Sequence, residues 1–113
     1  MIEFLKDQST RILELGGGDN PHPQADVVVD SRQGPRTSFV WDLSQMPWPL
    51  QDQEFTAVLA QFILEHITYR TVPTFLRECY RVLKPGGQLI LVLPNTRAQL
   101  QWVLEHKEGW DGK

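Results

Sequence analysis

Gly16, Gly17 and Gly18 directly follow the apolar run Arg11 to Leu15 (RILEL), and the β-branched run Ala25 to Asp30 (ADVVVD) ends in a carboxylate, with Ser31 beside it. Glycine lets a backbone approach a ligand closely, and an acid ending the next strand can accept hydrogen bonds from two ribose hydroxyls. By itself a glycine run is equally a plain turn, so the chemistry rests on what else shares the site. Asp42 and Leu43 follow a third β-rich run, Gln61 and Phe62 end a fourth, and His66 follows Glu65 just beyond. His66 is the candidate general base, its imidazole being the side chain that exchanges protons near neutral pH.

The elements that must position these residues are legible as a βα alternation. Strands are expected at Arg11–Leu15, Ala25–Asp30, Thr37–Trp41, Glu54–Gln61 and Gln88–Leu93. The continuous apolar runs suit strands buried on both faces of a parallel sheet. From Thr71 to Leu83 the positions Val72, Phe75, Leu76, Cys79, Tyr80 and Leu83 recur at helical spacing, and Pro85-Gly86-Gly87 closes that helix. Phe62–His66 begins a helical turn, and further helices are expected over Ile2–Gln8 and over Thr96–His106, with Leu100, Val103 and Leu104 inward. In such a sheet a ligand binds beyond the carboxyl ends of the strands, where the strand order reverses.

With 113 residues the chain fits a single domain, 1–113. Hydrophobic residues at 41% and charged residues at 22% suit a folded globular domain rather than a disordered or membrane protein. The longest aliphatic run, Leu89 to Leu93, is too short to span a bilayer. Met1 to Thr10 lacks the marks of a secretory signal, which places the chain in the cytoplasm, with its one cysteine, Cys79, reduced. A net charge of −3 gives no electrostatic footprint for nucleic acid, although Arg70, Arg77, Arg81 and Lys84 could form a local patch. His22 is read as an exposed loop residue that could touch the cofactor or substrate, His106 as surface and Cys79 as core. The three histidines and the cysteine have no metal-ligand spacing, so no metal is expected.

Taken in order, ILELGGG, VVVD, WDLSQMPWPLQDQEFTAVLAQFILEHI and FLRECYRVLKPGGQLILVLPN make the chain resemble the class I (Rossmann-like) S-adenosylmethionine-dependent methyltransferases over roughly residues 11–95. The resemblance implies an α/β fold, an open, mostly parallel sheet of order 3-2-1-4-5, and S-adenosylmethionine as cofactor. It implies that Glu14, Gly16, Gly17 and Gly18 wrap the methionine moiety and that Asp30, with Ser31, takes the ribose. It further implies that Asp42 and Leu43 flank the adenine, and that Gln61 and Phe62 lie near the amino acid portion and the methyl group.

The chain departs from that pattern in its connections. Six residues separate Gly18 from Ala25, and Ser31 to Arg36 is equally short, so the helices after strands one and two have no room. The last antiparallel strands are also expected to be missing. One sheet face would then be covered only by the end helices, and an uncovered face with an open edge favours a homo-oligomer. The expected function is methyl transfer to an unidentified acceptor, a small molecule in preference to nucleic acid. The alternatives are a catalytically reduced cofactor-binding or partner-subunit module, and a nucleic-acid methyltransferase. A nicotinamide oxidoreductase ranks last, because GGGDNP leads into no helix.

Overall fold

Residues 3–93, and the backbone of residues 99–103, are described by a computed structural model of the chain. The apolar runs become the strands β1 (Ile12–Leu15), β2 (Val27–Asp30), β3 (Phe39–Val40), β4 (Phe55–Gln61) and β5 (Leu83–Val92). These five pair in parallel in the order β3-β2-β1-β4-β5, as the resemblance implied. A sixth strand, β6 (Gln99–Val103), adds antiparallel to the outer edge of β5, Leu91 opposite Leu100 and Leu89 opposite Trp102.

β6 corrects two expectations: the helix over Thr96–His106 is not formed at Gln99–Val103, and an antiparallel edge strand is present. The segment QLQWV alternates polar and apolar residues, so it suits a strand as well as a helix, and the unpaired edge of β5 decides between them. Thr96, His106, Trp110 and the rest of the tail from residue 104 lie outside the described residues.

The helix α1 (Val72–Val82) packs Phe75, Cys79 and Val82 onto one face of the sheet, against Leu13, Leu15, Val27, Val29, Val58, Ala60, Leu89 and Leu91. The helix ends just before Pro85-Gly86-Gly87. Pairing jumps from Phe55–Leu83 to Ala57–Gln88, so Lys84 to Gly87 is a bulge in β5 rather than a helix terminator.

The opposite face carries Ile12, Glu14, Val28, Ala57, Leu59 and Ile90, and all six are buried. An uncovered face is therefore not what forms. The expected helix Ile2–Gln8 is also absent from residue 3 onward; Glu3 to Lys6 run without regular structure. Seven residues are too few to sustain an isolated helix, and the side-chain amide of Gln24 satisfies this backbone instead. Phe4 N–H donates to Gln24 Oε1 at 2.8 Å, and Gln24 Nε2 donates to the Phe4 carbonyl at 2.9 Å. An exposed Lys6–Asp26 ion pair at 2.8 Å fastens the same segment.

The connections from β1 to β2 and from β2 to β3 are loops without helices, as their lengths required. Arg36 braces them, donating to the carbonyls of His22 at 2.9 Å and Ala25 at 2.8 Å.

Candidate functional site

At the carboxyl ends of β1, β2 and β4 the sheet opens into a cleft of about 350 Å³. Its floor and one wall come from Gly16, Asp30 and Ser31; a second wall is Trp41 to Ser44, and a third is Ile63 with His66 to Thr68 and Thr71. That volume falls within the range of small-ligand sites. The cleft lies where the order reverses between β1 and β4, which is where an open parallel sheet binds its ligand.

The turn after β1 depends on glycine. Gly16 has φ +76°, and a Cβ there would lie 1.9 Å from the Ile63 side chain at the end of β4. Gly16 N–H donates to the Val29 carbonyl at 2.7 Å, which leads the loop across to β2. Gly17 packs on Pro21 and Val28, and Gly18 N–H donates to Asp30 Oδ2 at 2.6 Å. Asp30 Oδ1 has only long contacts of 3.4 Å, from Ser31 Oγ and Arg32 N–H. The loop therefore aims the carboxylate and leaves one oxygen free for stronger bonds.

Glu14 lies beneath this loop, buried on the face away from α1. It accepts hydrogen bonds from His22 N–H and from Gln61 Nε2, the latter at 3.3 Å. Burial pushes its carboxyl above the usual range, and the two donors only partly offset this. Glu14, Gln61 and the His22 backbone thus form the underside of the turn rather than its ligand face. His22, expected in an exposed loop, is buried, with its ring edge-on to Phe4 at 5.4 Å and its Nδ1 accepting from Gln24 N–H at 3.0 Å.

Asp42 is exposed and folds back on its own turn. Ser44 Oγ donates to Oδ1 at 2.7 Å and Ser44 N–H at 2.9 Å, and together they hold the carboxyl below its ordinary value. Leu43 turns inward, half-buried against the core. The Trp41 indole donates to the Gln45 carbonyl at 2.8 Å, so the ring is fixed at the wall.

Of the residues singled out in the sequence, Gly16, Asp30, Ser31, Asp42, Leu43 and His66 line the cleft. Glu14, Gly17, Gly18, Gln61 and Phe62 do not. Phe62 is exposed, with a left-handed backbone at φ +59°, an unusual conformation for a bulky residue; it turns the chain so that Ile63, not Phe62, faces Gly16. His66 ends a short 3-10 turn, Leu64–His66, and is exposed at the cleft. Trp41, Ser44, Ile63, Ile67, Thr68 and Thr71 were missed as lining residues. Their only local signal is position, immediately after a strand or before the helix. Cys79 is fully buried, and burial first, then the Glu78 charge, pushes its thiol far up, so it is inert core. Among the described residues no cluster of three or more His, Cys, Asp or Glu could hold a metal ion.

A parallel sheet of order 3-2-1-4-5 with a glycine turn and an acid at its switch point is a Rossmann-like fold. Residues 8–91 match the family model described as a methyltransferase domain, and the chain belongs to that family. Among curated relatives it is 33% identical over 76 residues to the demethylmenaquinone methyltransferase of Tropheryma whipplei, covering 59% of this chain and 31% of that protein. It is 42% identical over 50 residues to the mitochondrial ubiquinone biosynthesis O-methyltransferase of Rattus norvegicus, covering 44% of this chain and 14% of that one. Among solved structures, a S-adenosylmethionine-dependent methyltransferase of Archaeoglobus fulgidus shares the fold at a TM-score of 0.65 and 19% identity, over 76% of this chain and 45% of that chain. A structure of a putative methyltransferase of Haloferax volcanii in complex with the Trm112 activator matches at a TM-score of 0.57 and 16% identity, over 77% of this chain and 46% of that one. The chain spans less than a third of the length of these curated relatives and about half that of the solved structures.

The cofactor of this family is S-adenosylmethionine, and the residues at the cleft fit it. The turn at Gly16 has no space for a Cβ, Asp30 keeps a carboxylate oxygen available at the strand end, and Trp41, Leu43, Ile63 and Ile67 supply apolar walls for a flat base.

Proposed function

We propose that this chain is the cofactor-binding and catalytic core of a methyltransferase that uses S-adenosylmethionine and acts on a small-molecule acceptor. The observation that carries the reading is Asp30, aimed by Gly18 N–H into a cleft that Gly16, Asp42 and Leu43 also line. Bound S-adenosylmethionine would supply a methyl group already activated on a sulfonium, so little beyond positioning and desolvation is asked of the protein. Asp30 and Ser31 take the ribose hydroxyls, and the Asp42–Leu43 wall takes the base. Gly16 keeps the backbone close to the amino acid portion, and Gly17 and Gly18 complete its turn. Glu14 and Gln61 act from below, holding that turn. Phe62 stays outside and faces the acceptor side. His66 accepts the proton of an acceptor hydroxyl or amine that must lose one.

A small acceptor is favoured over nucleic acid because the basic patch is weaker than it reads. Arg81 is engaged by Glu78 at 2.7 Å and Asp52 at 2.8 Å. The relatives named for menaquinone and ubiquinone synthesis support the same choice. The test is transfer of a labelled methyl group from S-adenosylmethionine to a panel holding a catechol, a hydroquinone and transfer RNA. Label on a small molecule supports the reading; label on RNA alone overturns it.

The second strand edge favours self-association of the folded chain: Phe39 and Val40 of β3 are 43% and 51% exposed. No helix among the described residues is long and apolar enough to cross a membrane.

A further inference from the structure

The segment from Met46 to Leu50 joins the Asp42 wall of the cleft to β4. Trp48 and Leu50 anchor it in the core, where the indole meets Phe75 edge-on at 5.4 Å. Its polar anchorage is concentrated on two residues of α1. Trp48 N–H donates to Glu78 Oε1 at 2.8 Å, and Arg81 donates to the carbonyls of Leu50 at 2.8 Å and Trp48 at 3.2 Å. Arg81 also binds Glu78 through Nε at 2.7 Å and through a second nitrogen at 3.0 Å. Glu78 is 8% exposed, which is uncommon for a carboxylate without such partners. From Trp48 the connection continues to the ligand wall, because its indole Nε1 donates to the Leu43 carbonyl at 3.0 Å. At its other end, α1 begins just after Thr71, its N-cap, which lines the opposite wall. One helix thus touches both walls, through Thr71 at its start and through the Glu78–Arg81 pair that bonds the segment behind the other.

We propose that Glu78 and Arg81 are positioning residues for the Asp42–Leu43 wall: through Trp48 they set the affinity of the cleft for the nucleoside part of its ligand without touching it. The inference rests on the proposed cofactor site. Burial pushes the Glu78 carboxyl up, but the Arg81 and Trp48 donors outweigh it and hold the group below its usual value, so the pair stays charged at neutral pH. The bonding is directional: Trp48 N–H needs an acceptor, and the two carbonyls need donors. Exchanging the charges, Glu78→Arg with Arg81→Glu, would keep an ion pair yet reverse every one of these needs.

The test is calorimetric titration of the purified chain with S-adenosylhomocysteine, at a temperature where circular dichroism shows each variant folded. Arg81→Lys keeps the charge but not the planar fork, and Glu78→Gln keeps an acceptor but not the charge. Cys79→Ala, which leaves a cavity in the same core cluster without removing any of these hydrogen bonds, controls for loss of stability. The expected result is an affinity loss of roughly tenfold in both network variants, the size of one misplaced charge-assisted contact. Cys79→Ala binds as the wild type does, and so does Asp52→Ala, which removes only the exposed partner of Arg81. The exchanged double variant is not rescued. Wild-type affinity in folded Glu78→Gln and Arg81→Lys, an equal loss in Cys79→Ala, or rescue by the exchange would overturn the proposal while leaving the cofactor site intact. No binding by the wild type would overturn both.

Discussion

Glu14, in β1, and Gly16, in the turn that follows, pose opposite physical problems. The Glu14 carboxyl is raised by burial, so in the folded chain it takes up its proton at a higher pH than in the unfolded one. Its contribution to stability is then fullest below the ordinary carboxylate range and is lost as pH rises through the folded value. Glu14→Gln keeps an acceptor for His22 N–H and removes that loss. Urea unfolding is expected to show the variant gaining on the wild type between mildly acid and neutral pH. Gly16→Ala is expected to cost about 1–2 kcal/mol of left-handed strain, and more if Ile63 cannot move away. The same urea midpoints measure it. Gly16, Asp30, Ser31, Asp42, Leu43 and His66 were legible in the sequence as cleft residues because each sits at a strand end or just after one. Trp41, Ile63, Ile67 and Thr71 were not, because lining a wall is set by how separate segments face each other. His22 was misread as exposed for the same reason: burial of a loop depends on what lies over it, here Phe4.

At the scale of elements, the five parallel strands and α1 were legible because their apolar positions agree with both local propensity and the final packing. β6 and the first segment were not. Gln99–Val103 satisfies helical and strand periodicity alike, and Glu3–Lys6 is ordered by Gln24 and Asp26, far away in sequence. α1 is the element that joins the core to the cleft. Phe75→Ala, on its buried stripe, is expected to cost about 3–5 kcal/mol in denaturant unfolding, whereas a change at exposed Arg77 should cost almost nothing. The 3-10 turn Leu64–His66 buries no residue, so His66 can be altered without loss of core. His66→Gln is expected to lower methyl transfer by about 10²–10⁴-fold to an acceptor that must be deprotonated, with little change in S-adenosylhomocysteine affinity. An equal fall in affinity would mean that the histidine binds rather than accepts a proton.

Taken whole, the described residues frame the cleft with strand ends, the first residue before α1 and the loops between them. Two helices that would join β1 to β2 and β2 to β3 are replaced by loops, and the second sheet face is nonetheless buried, with Phe4 and His22 against its Glu14 end. What the sequence suggested as an uncovered face is therefore reduced to an edge at β3. If that edge carries the self-association, Phe39→Lys should lower the oligomeric state seen by sedimentation velocity without unfolding the chain. A dimer unaffected by this change would use another surface. The switch-point cleft is expected to hold S-adenosylmethionine through Asp30. This is tested most directly by titrating the folded chain with S-adenosylhomocysteine, beside Asp30→Ala and beside NADH. Saturable micromolar binding, weakened at least about tenfold in the variant and absent with NADH, is the predicted result. No heat from the folded wild type, or equal affinity in Asp30→Ala, would contradict it.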